Sequence, residues 1–169
     1  MKTIRSTIHI DAPTDKVWEV ISDFGNIYRW NRTISASHLT STDGHGVGTT
    51  RHCDMTIPGA SVEERIVDWQ EGSSYTVEIY EAKRFPFVTD MTAIVGVEPS
   101  ESGSEASFQF SYDTTGGPIG KLFDRFVIGP QNNKAAALFV AALKHHVETG
   151  EEVSKGVRVD TSTADVTIV

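Results

Sequence analysis

The sequence predicts an α+β fold: a curved antiparallel sheet of about seven strands around a long C-terminal helix, with a mostly apolar pocket between them. Three observations predict it. An alternating stretch opens the chain and two short helical patterns follow it. Six more alternating stretches succeed one another between residues 33 and 114, separated by short turns; such connections join antiparallel neighbours, because parallel strands need long crossovers. A helical pattern then runs from residue 119 to 149.

Each element has its own signal. In residues 3–10, Ile4, Ser6, Ile8 and Ile10 alternate with Arg5, Thr7 and His9, the pattern of a half-buried strand. Asp11-Ala12-Pro13 stops it; Asp11 or Thr14 can cap the next helix, and Pro13 suits a first turn. Val17, Trp18, Val20 and Ile21 give that helix its apolar face, and Phe24, Ile27, Tyr28 and Trp30 mark a second over 23–30. Strands are expected over 33–41, 47–56, 61–70, 73–82, 87–98 and 104–114, with turn residues such as Thr42-Asp43-Gly44 and Pro58-Gly59 between them. Gly116-Gly117-Pro118 ends the sheet. Ile119, Leu122, Phe123, Phe126 and Val127 form a first helical stripe, and Ala136, Ala137, Val140, Leu143 and Val147 a second. Gly129-Pro130 between them should kink or break the helix, and Gly150 suits its C-terminal end. Residues 1–150 read as one ligand-binding domain. Residues 151–169, with weak alternation from Val157 to Thr161, read as a tail that is either disordered or added as an edge strand.

The bulk properties fit one domain with a sizeable core: 169 residues, 38% hydrophobic and 22% charged. A net charge of −8 argues against a nucleic-acid backbone or an anionic membrane as the main partner. A single cysteine, Cys53, gives no internal disulfide. The first residues lack the apolar core of a signal peptide, and no stretch approaches about 18 unbroken apolar residues. A cytoplasmic protein without membrane insertion is the expectation. Asn31-Arg32-Thr33 fits a glycosylation acceptor and is read as a chance match.

Several phrases, in order, resemble the START-like (SRPBCC) superfamily in its polyketide cyclase/dehydrase branch. Ile8-His9-Ile10-Asp11-Ala12-Pro13, followed by Lys16 to Phe24, is similar to that branch's first strand and helix, and Tyr28-Arg29-Trp30-Asn31 to its second helix. Gly46-Val47-Gly48-Thr49-Thr50-Arg51 with Cys53 resembles its third strand, Val62-Glu63-Glu64-Arg65-Ile66 with Trp69 its fourth, and Ala141-Ala142-Leu143-Lys144 with Glu148 the end of its long helix. The resemblance covers residues 3–149 and implies a helix-grip fold whose members bind lipids, sterols, hormones or polyketides, some of them as enzymes.

Strand parity nominates the pocket. Thr49, Arg51, Cys53 and Met55 share a face, as do Val62, Glu64 and Ile66, and an Arg51–Glu64 pair follows because a buried guanidinium without a partner is costly. Tyr75, Val77 and Ile79 share the next inward face, and Phe108, Phe110 and Tyr112 another. Around Met91 both faces of the strand carry apolar residues and parity leaves the choice open. Asp90 is a candidate pocket carboxylate for acid–base work, against a solvated strand residue. Phe123, Phe126 and Asn133 are candidates from the helix, with Trp30 in a lid. The ligand-binding candidates are therefore Trp30, Arg51, Cys53, Met55, Glu64, Tyr75, Met91, Phe108, Phe110, Tyr112, Phe123 and Phe126; the catalytic ones are Arg51, Glu64 and Asp90. No metal or other cofactor is expected: the histidines are scattered, and adjacent His145 and His146 leave a helix in different directions. Gly44-His45-Gly46-Val47-Gly48 precedes a strand, not the helix a dinucleotide loop needs. Binding of a small hydrophobic molecule ranks first, a cyclase or dehydrase second, and an interaction domain, a homodimer whose tail crosses to a partner, third.

Overall fold

A computed structural model describes residues 1–169. Strand β1 (Lys2–Ile10) buries Ile4, Ser6, Ile8 and Ile10, the alternation legible in its sequence. Helix α1 (Thr14–Ser22) buries Val17, Trp18 and Ile21. Pro13 holds its cap position, and the Pro13 carbonyl accepts from Lys16 and Val17 N–H. Neither Asp11 nor Thr14 makes the expected cap. Phe24–Arg29 forms a 3-10 helix that buries Phe24 and Ile27.

Strands β2 (Ile34–Leu39), β3 (Thr50–Met55), β4 (Ser61–Gln70), β5 (Ser74–Lys83), β6 (Val88–Ser100) and β7 (Gly103–Thr114) follow. With β8 (Asp165–Ile168) they form one eight-stranded sheet, ordered β2-β3-β4-β5-β6-β7-β1-β8, in which all described pairings are antiparallel. Bulges interrupt the β2–β3, β4–β5 and β6–β7 ladders. A bulge bends its strand and sharpens the twist, so the sheet curls without closing, and β2 and β8 remain as its edges. The expected strand from residue 47 begins only at Thr50. Gly46 and Gly48 take left-handed φ of 87° and 94°, so that segment turns; Gly48 N–H then bonds to the Ile66 carbonyl. The tail's strand lies at Asp165–Ile168 rather than at Val157–Thr161.

Helix α2 (Gly117–Phe123), a π turn (Asp124–Ile128) and α3 (Gly129–Thr149) run as one continuous helical stretch. The break expected at Gly129-Pro130 is absent. A proline in a helix lacks the N–H for its own turn. Here the widened turn just before it, in which Gly129 N–H bonds to the Asp124 carbonyl five residues back, accommodates the ring. Helix α3 lays Ala136, Phe139, Val140 and Leu143 against the concave face of the sheet and ends at Gly150, left-handed at φ 74°. The main core joins Phe139, Val140 and Leu143 to Ile8, Ile10, Val17, Ile21, Phe24 and Ile66, while Ala136 packs in a smaller cluster with Ile4 and Ile128. None of the helices is long and apolar enough to cross a membrane.

Candidate functional site: a lined cavity with one buried ion pair

Between the sheet and α3 lies a cavity of about 180 Å³, and 14 of its 19 lining residues are hydrophobic. The sheet contributes Val62, Val77, Met91, Ala93, Val95, Phe108 and Phe110. Phe139 closes it from α3. Its ring stacks on Phe108 at 4.0 Å and meets Trp30 edge-on at 4.9 Å. Ala135 is the one exposed residue of the lining and marks the mouth; Thr33, Met55, Phe85 and Asn132 are among the partly exposed ones.

Arg51 and Glu64 face each other across the β3–β4 ladder. Arg51 Nε donates to Glu64 Oε2 at 2.5 Å and Nη1 donates to the Phe24 carbonyl at 2.7 Å, while the guanidinium lies 3.8 Å over the Phe24 ring. Both residues are buried, and both line the cavity. Burial opposes the charge on Arg51, but the Glu64 carboxylate outweighs it, with smaller help from Cys53 and Tyr75, and holds the guanidinium protonated more firmly than usual. Arginine carries five N–H donors, and two of them are committed in these hydrogen bonds.

The other polar groups near this pair do not suit proton transfer at neutral pH. Burial, and then Glu64, push the Cys53 thiol well above its ordinary value. It is an inert donor 3.6 Å from Glu64 Oε2. Burial pushes the Tyr75 hydroxyl up to about 12, against the pull of Arg51. That hydroxyl is fully buried without a hydrogen-bond partner, and the Tyr75 ring packs against Phe24 and Trp69.

Of the residues nominated from sequence, Arg51, Met55, Glu64, Met91, Phe108 and Phe110 come together around the cavity. Cys53 and Tyr75 share the inward faces but lie outside the lining. The open choice around Met91 resolves with Met91, Ala93 and Val95 buried and Ile94 outward. Asp90 is not a pocket carboxylate. It occupies the β6–β7 bulge at φ 51°, exposed to solvent. Trp30 is 2% exposed and belongs to the core, not to a lid. Tyr112 donates to Asp124 Oδ1 at 2.8 Å in a separate small cluster with Ile4 and Ile128. Phe123 and Phe126 point away from the cavity, at 37% and 67% exposure, because the π turn shifts the helical phase between them and α3. Asn133 buries an unpartnered Oδ1, while its neighbour Asn132 reaches the lining.

Asn31, Thr33, Ile27, Ile34, Phe85 and Phe139 line the cavity without having been nominated. For the first two a sequence signal existed. Asn31 Oδ1 accepts from Thr33 N–H at 3.0 Å and Thr33 Oγ1 at 2.7 Å, so the triplet read as a chance glycosylation acceptor is a side-chain-closed turn at the cavity edge.

Solved structures share this architecture. A Thermus thermophilus protein superposes with a TM-score of 0.71 at 14% identity over 88% of this chain and 98% of its own. A START superfamily protein from Mycobacterium smegmatis gives 0.67 at 14% identity, over 88% and 97%. A Thermobifida fusca protein gives 0.67 at 23% identity, over 86% and 92%. At these identities the likeness is one of fold. A comparison with curated proteins finds no match. Residues 1–148 match the family described as polyketide cyclase / dehydrase and lipid transport, and the chain belongs to that family.

Proposed function

We propose that the cavity binds one small, mainly apolar molecule carrying a single oxygen-bearing end that meets Arg51 and Glu64. The observation that supports this most is the lining itself: apolar walls and one buried ion pair, the only charges among the lining residues. Small-molecule sites combine an apolar bulk with a few placed polar groups in this way. A dry cavity of roughly 150 Å³ takes a benzene-sized guest, so about 180 Å³ suits a molecule of one or two rings. Larger guests require Phe85 and Met55 to swing outward at the mouth.

Native mass spectrometry with matched aromatic probes, a hydrocarbon and its hydroxyl and ketone derivatives, tests the reading. One guest per chain is expected, with the oxygenated probes preferred. The double substitution Arg51→Met with Glu64→Leu should keep binding and lose that preference. No bound mass with any probe, or an unchanged preference in the double variant, overturns it.

The buried charge pair also favours a second reading, a cyclase or dehydrase. A guanidinium fixed in an apolar wall can polarise a carbonyl, and Glu64 is the one carboxylate in the lining. Turnover of a poly-carbonyl substrate that survives Glu64→Gln unchanged would remove Glu64 from that role.

A further inference from the structure

The helical stretch before α3 carries a surface the pocket does not use. Ile119, Leu122 and Phe126 are 74%, 61% and 67% exposed, and Phe123 and Phe87 are each more than a third exposed. Phe87, on the β5–β6 loop, packs against Phe123 at 5.5 Å, and its carbonyl accepts from Thr115 N–H. The loop and the helix therefore present one continuous apolar patch, of the kind that marks a docking site.

Its charge is unlike that of the rest of the chain. Between Thr115 and Lys134 the only acid is Asp124, and it is buried, bonded to Tyr112 and paired with Lys2. The exposed charges there are Lys121, Arg125 and Lys134, all positive. Beside the loop, Lys83 at the end of β5 pairs with Glu81, and the Arg84 guanidinium lies against Gly59. A molecule of net charge −8 thus places three exposed cations and no exposed acid along the helical stretch that carries Ile119, Leu122 and Phe126. Phe85 on the same loop and Asn132 just along the helix line the cavity, so the patch borders its mouth.

We propose that this patch docks the protein peripherally on an anionic lipid surface, with the apolar side chains dipping into the headgroup boundary and the cations meeting lipid phosphates. Bulky apolar residues beside Lys and Arg on one short helix are what interfacial binding needs. A second copy of the chain fits less well: two such patches face to face would oppose their own positive charges. The whole-chain charge that argues against an anionic membrane averages over this local concentration.

Co-sedimentation with vesicles of phosphatidylcholine mixed with phosphatidylglycerol, against phosphatidylcholine alone, tests the proposal. The chain should partition to the anionic vesicles, and added salt should release it. Lys121→Glu with Arg125→Glu should lower partitioning at least about tenfold, and Leu122→Ser with Phe126→Ser by a similar factor. All four residues are solvent-exposed, and unchanged far-UV circular dichroism would show that the variants fold. Equal partitioning to neutral vesicles, no partitioning at all, or variants that bind like the parent overturns the proposal. A concentration-dependent doubling of mass that is lost in Phe126→Ser, without vesicle binding, would assign the patch to a second copy and also overturn it. Pocket occupancy plays no part in this assay, so it stands or falls separately from the ligand reading.

Discussion

At Arg51 and Glu64, parity and electrostatics lead to the same expectation. Removing one partner of a buried ion pair leaves the other charge unpaired in an apolar wall, which typically costs about 3–5 kcal/mol. Arg51→Ala should lower stability by that amount in urea unfolding. Arg51→Met with Glu64→Leu removes both charges at similar volume and should recover most of the loss. On the opposite face of the same strand, His52 bonds to Glu63 Oε1 at 2.5 Å and to Asp54 Oδ1 at 3.2 Å, and these two hydrogen bonds raise its pKa above the ordinary 6.5. A raised folded pKa means that the charged ring stabilises the fold fully below about 6.5 and that this contribution fades as pH rises through the higher folded value. The difference in melting temperature between the parent and His52→Gln should therefore be largest in mild acid and shrink towards alkaline pH. A difference that is flat with pH would show that the ring's charge contributes nothing.

The same balance of charge and burial acts on an element at the π turn. Its first residue, Asp124, is 1% exposed; it accepts from the Tyr112 hydroxyl and pairs with Lys2. Burial, and then Asp124, push the Tyr112 hydroxyl up to about 12, so it remains the donor throughout the neutral range. A hydrogen bond to a charged group contributes about 1.5–3 kcal/mol. Tyr112→Phe should thus lower the melting temperature by roughly 3–10 °C for a chain of this length and loosen the turn that holds α2 in phase. This turn also explains where sequence reading stopped. Strand faces with strict alternation, such as Thr49 to Met55 and Phe108 to Tyr112, were legible because a period of two needs only local information. The helix was legible as an element, but its face was not. One extra residue in a turn rotates the helix before it by about 100° relative to the helix after it, so Phe123 and Phe126 left the cavity while Asn132 and Phe139 entered it. At Asp90 alternation left two faces open; Met91, Ala93 and Val95 turn inward, which puts Asp90 on the solvated side, the alternative weighed against a pocket role.

At the scale of the whole molecule, an unclosed sheet must manage two edges, and this chain covers one with its own end. β8 pairs with β1 through Ile4–Ile168 to Thr7–Asp165, and Val169 N–H bonds to the Thr3 carbonyl. Earlier in the tail, Val153 is buried and donates its N–H to the Arg29 carbonyl, while Glu152 meets Arg29 Nε at 2.9 Å. The tail is therefore tied at two points, at Arg29 and along β1. Cutting the chain after Thr161 would keep the first tie and release the second. β1, which carries Ile4, Ile8 and Ile10 into the core, would then be an exposed edge with unpaired N–H and C=O groups, a template for pairing with another chain. Light scattering on that truncated form should show mass rising with concentration, and thermal unfolding should begin a few degrees lower. If β8 is only a passive appendage, the truncated chain will keep the parent's mass at every concentration.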